Sequence, residues 1–260
     1  MSSPNRHLAS LRAPELAGRI GPRSVVVLPL GAIEQHGPHL PVNTDEVIAT
    51  ATATALVERY GDEHDLWLLP TLPFTKSNEH AWSGGTVWLS ATTLMAVLDD
   101  IARCVAKMGA TKLVFLNAHG GNSALLGVMN REVRLNHGLQ SFLAHPFVPA
   151  DQGGGDSTAN ELGMGIHGGT GETSLMLHLA PGLVDMAKAT RNVPEKLAAN
   201  KYVRFGGQVG FGWLSNDFGP AGHIGDPTVA DASIGARHFE AAVTALGDAM
   251  GEVAAFDFGR

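Results

Sequence analysis

Residues 24–45 read SVVVLPLGAIEQHGPHLPVNTD and join a strand to a helix through a loop rich in Gly, Pro and His. The first part, residues 24–30, is a short run of β-branched and aliphatic side chains, which is typical of a strand buried on both faces. Asn43 or Thr44 then caps a helix that we predict over residues 45–60. The stretch therefore predicts a strand, a loop and a helix in that order.

The same order of elements recurs along the rest of the chain. Further strands are predicted at residues 66–70, 112–116 and 141–147, and further helices at residues 92–108, after 117–122, at 173–179 and at 231–253. Such repeats are typical of right-handed crossovers and a mostly parallel sheet covered by helices on both faces. We expect an α/β fold with residues 1–260 as a single domain. Within it, the glycine-rich residues 149–165 predict a mobile loop.

The composition excludes several classes of protein. The 260 residues include 44% hydrophobic and 17% charged side chains, which is typical of a globular chain. The net charge is −7 and Lys and Arg form no run, which argues against a nucleic-acid partner or an anionic membrane surface. Cys104 is the single cysteine, so an internal disulfide is impossible. With no predicted signal peptide or spanning segment, we expect a cytoplasmic protein.

Side chains that bind metals follow the predicted strands, where ligands of parallel sheets are usually found. Glu34 and His36 come after the first strand, Asp45 begins the next helix, His119 follows the third strand, and Glu172 lies further along. Residues two apart in an extended stretch point to the same side, which suits two adjacent ions with Asp45 as a bridge. Two imidazoles and three carboxylates suit Zn, Mn or Fe(II), and one shared hydroxide would make the site neutral.

Each of these residues also has an ordinary explanation when taken alone. A Glu-x-His pair in a loop is usually solvated, and paired glycines often serve a tight turn. Asp45 and Glu172 would both be favourable near a helix N-terminus. Only their combination at the strand ends favours a metal site.

Three segments together resemble the creatininase family. They are residues 28–45 (LPLGAIEQHGPHLPVNTD), 117–122 (NAHGGN) and 167–174 (HGGTGETS), with a weaker block at residues 77–86 (SNEHAWSGGT). The resemblance covers roughly residues 20–230, with the blocks in order. It implies a three-layer α/β/α sandwich, assembly into hexamers, and a dinuclear metal site that hydrolyses amides.

The resemblance also implies which residues hold the metals. Glu34, Asp45 and His119 would hold one ion, and His36, Asp45 and a further carboxylate the other. Creatininases proper carry that carboxylate two residues after the histidine of the second block, where this chain has Gly121. We expect Glu172 to replace it.

Other residues are expected to act on the substrate. His167 would hydrogen-bond the developing oxyanion or pass a proton to the leaving nitrogen, and Glu172 is a second catalytic candidate. The residues expected to contact the substrate are Ser77, His80, Gly120, Gly121 and His167.

The substrate pocket is expected to differ from that of creatininases proper, which close it with tryptophans before the third block. Residues 148–166 contain no aromatic side chain, and Met164 or Ile166 stands where an acid is expected before His167. We therefore expect weak or no creatinine hydrolysis, because a small planar ring would lack a stacking partner. Three tryptophans elsewhere are candidates for such a contact: Trp82, Trp88 and Trp213.

Our leading hypothesis is a metal-dependent amidohydrolase that cleaves a non-peptide C–N bond in a cyclic or small linear amide, through a hydroxide bound to two metal ions. One alternative is a peptidase that trims a modified precursor peptide in redox-cofactor biosynthesis. Another is a deformylase of nucleotide-biosynthetic intermediates, with Fe(II). The non-enzymatic alternative is a metal-stabilised oligomer without catalytic activity.

Overall fold

A computed structural model of the protein describes residues 5–147 and 159–259. In these ranges four strands form one sheet: β1 (Val25–Leu30), β2 (Leu66–Leu68), β3 (Lys112–Asn117) and β4 (Gln140–Ala144). The strand order is β2-β1-β3-β4, and each neighbouring pair is parallel. The prediction of a parallel α/β fold is therefore confirmed.

Seven α-helices surround this sheet in the described residues. They are α1 (Ala13–Leu16), α2 (Thr44–His64), α3 (Ala91–Lys107), α4 (Ser123–His137), α5 (Thr170–Leu179), α6 (Glu195–Ala198) and α7 (Ala232–Ala255). None of the helices in the described ranges is both long and apolar enough to cross a membrane.

The sheet packs against helices on both faces, because successive side chains of a strand point in opposite directions. Val26, Leu28 and Phe115 face one side and pack against apolar residues of α3 and α4. Val27 and Val114 face the other side and pack against α2 and α7. Helices, sheet and helices thus form the three layers of the expected sandwich.

Helix α2 continues beyond the predicted end at residue 60. Gly61 stays helical, and the helix ends only where Asp65 adopts a left-handed conformation with φ of 50°. The Asp65 carboxylate accepts hydrogen bonds from Arg6 and Ser24 at 2.9 and 2.7 Å. These contacts with distant residues fix the position of the helix end.

The other predicted element boundaries shift by one to three residues. Strand β4 ends at Ala144, so Phe147 lies beyond the strand. Helix α5 begins at Thr170, because its first backbone N–H donates to the Glu161 carboxylate at 2.9 Å. Of the predicted mobile loop, residues 149–158 lie outside the described residues, and the remainder includes the helical turn Ala159–Glu161.

Strands β1 and β3 are adjacent and parallel, so their carboxyl ends lie at the same edge of the sheet. The loop after β1 carries Glu34 and His36, and the residues after β3 include His119. Parallel pairing therefore brings these three side chains to one place, although they are far apart in sequence.

Candidate metal centre

The five predicted metal ligands converge at this edge of the sheet. Asp45 is the second residue of α2, and Glu172 is the third residue of α5. Glu34, His36, Asp45 and His119 are each at most 5% exposed, whereas Glu172 is partly exposed. Among the described residues, ligand atoms lie within 4.8 Å of one another in three groups: Glu34, Asp45 and His119; His36, His167 and Glu172; and Glu34, His80 and His167.

In the first group, the imidazole of His119 faces two carboxylates. Its Nε2 lies 2.9 Å from the carbonyl oxygen of Lys76, which can only accept, so Nε2 carries the proton. In a neutral ring, Nδ1 then presents a lone pair to Asp45 Oδ2 at 3.1 Å and Glu34 Oε2 at 3.3 Å. Asp45 Oδ2 is buried and accepts no hydrogen bond. The lone pairs of His119 Nδ1 and Asp45 Oδ2 thus face each other without a donor between them, with Glu34 Oε2 beside them, and this arrangement fits a cation.

The second group repeats this arrangement around His36. Its Nδ1 lies 3.1 Å from the backbone carbonyl oxygen of Glu34, so Nδ1 carries the proton. Its Nε2 faces Asp45 Oδ1 at 3.1 Å, Glu34 Oε1 at 3.8 Å and Glu172 Oε2 at 3.9 Å. Asp45 therefore directs one oxygen to each histidine, which is the arrangement of a bridging ligand.

In a chain without metal, a proton is the cation available at these positions. Burial lowers the pKa of His36, but the Asp45, Glu172 and Glu34 carboxylates outweigh it and raise that pKa to about 10. Burial likewise opposes protonation of His119, yet Glu34 and Asp45 raise its pKa well above the usual value. Burial also raises the pKa of Glu34 to about 8. The site thus attracts positive charge strongly.

Two further histidines lie beside Glu34. His167 donates from Nε2 to the backbone carbonyl oxygen of Gln35 at 2.6 Å, and its Nδ1 lies 3.5 Å from Glu34 Oε1. His80 accepts a hydrogen bond from the Gln35 side-chain amide at 2.9 Å. Burial lowers the pKa of both rings, to about 3 for His80 and well below the usual value for His167. Both imidazoles are therefore neutral near pH 7.

A cavity of about 220 Å³ opens beside these groups. Four of the residues expected to contact the substrate line it: His80, Gly120, Gly121 and His167. Ser77 is instead fully buried and donates a hydrogen bond to Glu34 Oε2 at 2.5 Å. Ser77 therefore positions the Glu34 carboxylate and lies away from the cavity surface.

The cavity wall includes one of the three candidate tryptophans and an acidic side chain. Trp213 supplies an aromatic side chain from a later loop and packs edge-on against His80, with ring centroids 6.5 Å apart. The buried Glu161 lines the same cavity as His167. Its Oε1 accepts the backbone N–H groups of Thr170 and Asp226. Both features join segments that are distant in sequence.

Other cavity and site residues escaped the sequence reasoning. Gln35 lies between two predicted ligands, and its amide nitrogen is 3.0 Å from the carbonyl oxygen of Gly222. Glu79 precedes His80 in the weaker block and also lines the cavity. In the sequence, the only indication that Gln35 belongs to the site is its place between Glu34 and His36. For Glu79 it is its place next to His80.

Comparisons with known proteins are consistent with this geometry. A family model described as creatinine amidohydrolase matches residues 9–250. A mycofactocin precursor peptide peptidase of Mycobacterium ulcerans (strain Agy99) is 34% identical over 223 residues, which are 82% of this chain and 79% of that protein. A creatinine amidohydrolase of Pseudomonas putida is 34% identical over 186 residues, which are 65% of this chain and 70% of that one. A solved structure of a creatininase with Mn superposes with a TM-score of 0.73 at 28% identity, covering 96% of this chain and 98% of the other.

Proposed function

Because the chain belongs to the creatininase family of amidohydrolases, we propose that it hydrolyses an amide C–N bond at a centre for two divalent ions. Glu34, Asp45 and His119 would hold one ion, and His36, Asp45 and Glu172 the other. The observation that carries this proposal is the pair of imidazole nitrogens that face carboxylate oxygens with Asp45 shared between them.

The donor set limits which metals fit. Imidazole nitrogens together with carboxylate oxygens suit Zn, Mn or Fe(II), and the centre offers no thiolate. When bound, such ions lower the pKa of a coordinated water and polarise a carbonyl group. The residues of the chain then have to hold the amide in place and move a proton to the leaving nitrogen.

His167 is suited to the proton transfer. Its Nε2–H is already donated to the Gln35 carbonyl oxygen, so only Nδ1 is left, and in the neutral ring Nδ1 accepts. This favours His167 as a group that takes up a proton at Nδ1 and passes it to the leaving nitrogen, over a role as oxyanion donor. Glu172, whose pKa burial raises, is a second group that can carry a proton there.

Metal loading at pH 7 should release protons. Without metal, the pKa of His36 is raised to about 10, that of Glu34 to about 8 and that of His119 well above its usual value, so protons must leave the site before these groups can act as ligands. We expect a net release of protons when the ions bind, and an affinity that rises with pH. Calorimetric titration with Zn²⁺ in buffers of different ionisation enthalpy measures this release. A binding heat that does not depend on the buffer would contradict the prediction.

The charge of the cavity indicates the class of substrate. Among the described residues no Lys or Arg lines it, and residues 148–158 contain neither. Its acidic lining residues are Glu34, Asp45, Glu79, Glu161 and Glu172. Two divalent ions would offset four of these five negative charges, which leaves no counter-charge for a phosphate. We therefore propose a neutral amide as substrate, and this disfavours a deformylase of nucleotide intermediates.

A peptide is the second candidate substrate, because the similarity to the precursor peptide peptidase spans 82% of the chain, against 65% for the creatinine amidohydrolase. The apolar part of the cavity wall includes Phe147, Leu175 and Trp213, which can contact an uncharged peptide side chain. The cavity volume lies below the roughly 300–1,000 Å³ of pockets for drug-sized ligands. It therefore suits a small amide or one end of a longer chain.

A substrate screen of the metal-loaded protein tests both candidates. We expect turnover of neutral amides, chosen from creatinine, lactams, hydantoins and short peptides, and at least a hundredfold lower kcat/KM for a formamide that carries a phosphate. A Glu34→Gln variant is the control for activity from this site. Faster turnover of peptides than of every cyclic amide would favour the peptidase. Efficient hydrolysis of the phosphate compound would overturn the assignment of a neutral substrate.

The family resemblance extends to assembly and location. We propose a homo-oligomer, with a hexamer as the expected form, in the cytoplasm. The exposed apolar side chains of Phe74, Val87 and Trp88 are compatible with contacts between copies, and the exposed thiol of Cys104 is compatible with a reducing compartment.

A further inference from the structure

The space next to Gly121 is filled by a carboxylate from another segment. A Cβ atom on Gly121 would lie 1.7 Å from Glu79 Oε1 and 2.5 Å from His119 Nε2. Glu79 reaches this point from the helical turn Asn78–His80. A side chain at position 121 is therefore incompatible with Glu79 in its present place. The adjacent Gly120 has no atom within 4 Å of its own Cβ position.

Glu79 lies on the side of His119 that faces away from the proposed ion. Its Oε1 is 3.5 Å from His119 Nε2, whereas Nδ1 faces Asp45 and Glu34. Its Oε2 accepts a hydrogen bond from Lys76 Nζ at 3.1 Å. The Nε2–H of His119 therefore points at the Lys76 carbonyl oxygen with a negative charge beside it. Glu79 is thus placed to act on the imidazole and not as a ligand of an ion at Nδ1.

We propose that Glu79 is a positioning residue for His119, and that position 121 is glycine because Glu79 occupies its side-chain space. A carboxylate beside the far nitrogen of a ligating histidine keeps the proton there, fixes the ring and makes the ligating nitrogen more basic. The inference rests on the proposed metal centre. It also explains why this turn carries no side chain at the position where creatininases proper carry a glutamate.

The first test removes the charge and keeps the shape. Glu79→Gln should weaken the binding of one Zn²⁺ about 10–100-fold, measured by competition with a chromophoric chelator. Glu195→Gln is the matched control, because it makes the same change at an exposed carboxylate that pairs with Arg191 at 2.9 Å and should not weaken binding. Unchanged Zn²⁺ affinity in Glu79→Gln would overturn the proposal.

The second test uses the two glycines of the turn. Neither Gly120 nor Gly121 has a positive φ, so alanine fits the backbone at both positions. Gly121→Ala should weaken Zn²⁺ binding at least tenfold, and Gly120→Ala should leave it unchanged. In a Glu79→Ala background, adding Gly121→Ala should weaken Zn²⁺ binding by a smaller factor than it does in the wild type, because the 1.7 Å overlap with the carboxylate is gone and only the 2.5 Å approach to His119 Nε2 remains. Equal losses from Gly121→Ala in both backgrounds would show that Glu79 does not fill this space.

The two proposals can fail separately. A wild-type chain that binds no Zn²⁺ would refute the metal centre itself. A wild-type chain that binds two ions and hydrolyses amides, with Glu79→Gln binding both ions equally tightly, would refute only the role of Glu79.

Discussion

Replacing Asp45 with asparagine should remove most of the bound metal and lower the amidase activity more than about a hundredfold, beyond the 10–100-fold losses typical of outer-shell changes. The Asp45 oxygens lie 3.1 Å from His36 Nε2 and 3.1 Å from His119 Nδ1. Asparagine keeps one oxygen and turns an NH₂ group toward one of the histidines. That NH₂ group would donate a hydrogen bond to the imidazole nitrogen, whose lone pair would then no longer be available to a metal ion. Because Asp45 is buried, water is poorly placed to compensate.

Metal content per chain after dialysis, together with kcat/KM on a neutral amide, measures this effect. Asp185→Asn is a suitable control, because Asp185 is exposed and pairs with Lys188 at 3.0 Å. Far-UV circular dichroism checks that the fold is retained. Two ions per chain with undiminished turnover in Asp45→Asn would rule out a bridging role for Asp45.

Glu172→Gln should cause loss of the ion proposed at His36, while the ion proposed at His119 stays bound. Glu172 Oε2 accepts the Gly168 backbone N–H at 2.5 Å and lies 3.9 Å from His36 Nε2. A glutamine oxygen can keep the bond to Gly168, so the turn is preserved and only the charge is lost. The partners of His119 are untouched. We expect one ion per chain and an activity loss of at least about 10–100-fold.

Anomalous scattering from crystals at a metal absorption edge distinguishes this outcome directly. The wild type should show two peaks, one of them within coordinating distance of Glu172, and the variant only the peak beside His119. Glu240→Gln, which alters an exposed carboxylate paired with Arg59, should keep both peaks. A wild-type map with no metal within reach of Glu172 would refute its assignment as a ligand.

The sequence predicted the strands and the proximity of Glu34, His36 and His119 well, because both depend on local patterns. The β-branched run in β1 and the apolar run in β3 are fully buried. Glu34, His36 and His119 follow these strands directly, and parallel pairing is enough to bring them together. A pattern of this kind can be read from one chain without knowledge of distant contacts.

The remaining features depend on residues that meet only in the folded chain. Glu79 and Gly121 belong to different loops, and neither residue alone predicts their contact. Likewise, the start of α5 depends on Glu161, which accepts the Thr170 N–H from outside the helix. The end of α2 depends on Asp65 and its contacts with the N-terminal segment. Local propensity does not contain such information.

The spread of the ligands along the chain sets an order for their appearance during synthesis on the ribosome. Glu34, Asp45 and His119, which form the first group, are all translated before Glu172. At roughly 5–20 residues per second, Glu172 follows His119 by about 3 to 11 seconds. During this interval a nascent chain that has paired β1 with β3 holds Glu34, Asp45 and His119 but still lacks Glu172. The residues proposed for the first ion are thus all synthesised several seconds before the set proposed for the second ion is complete.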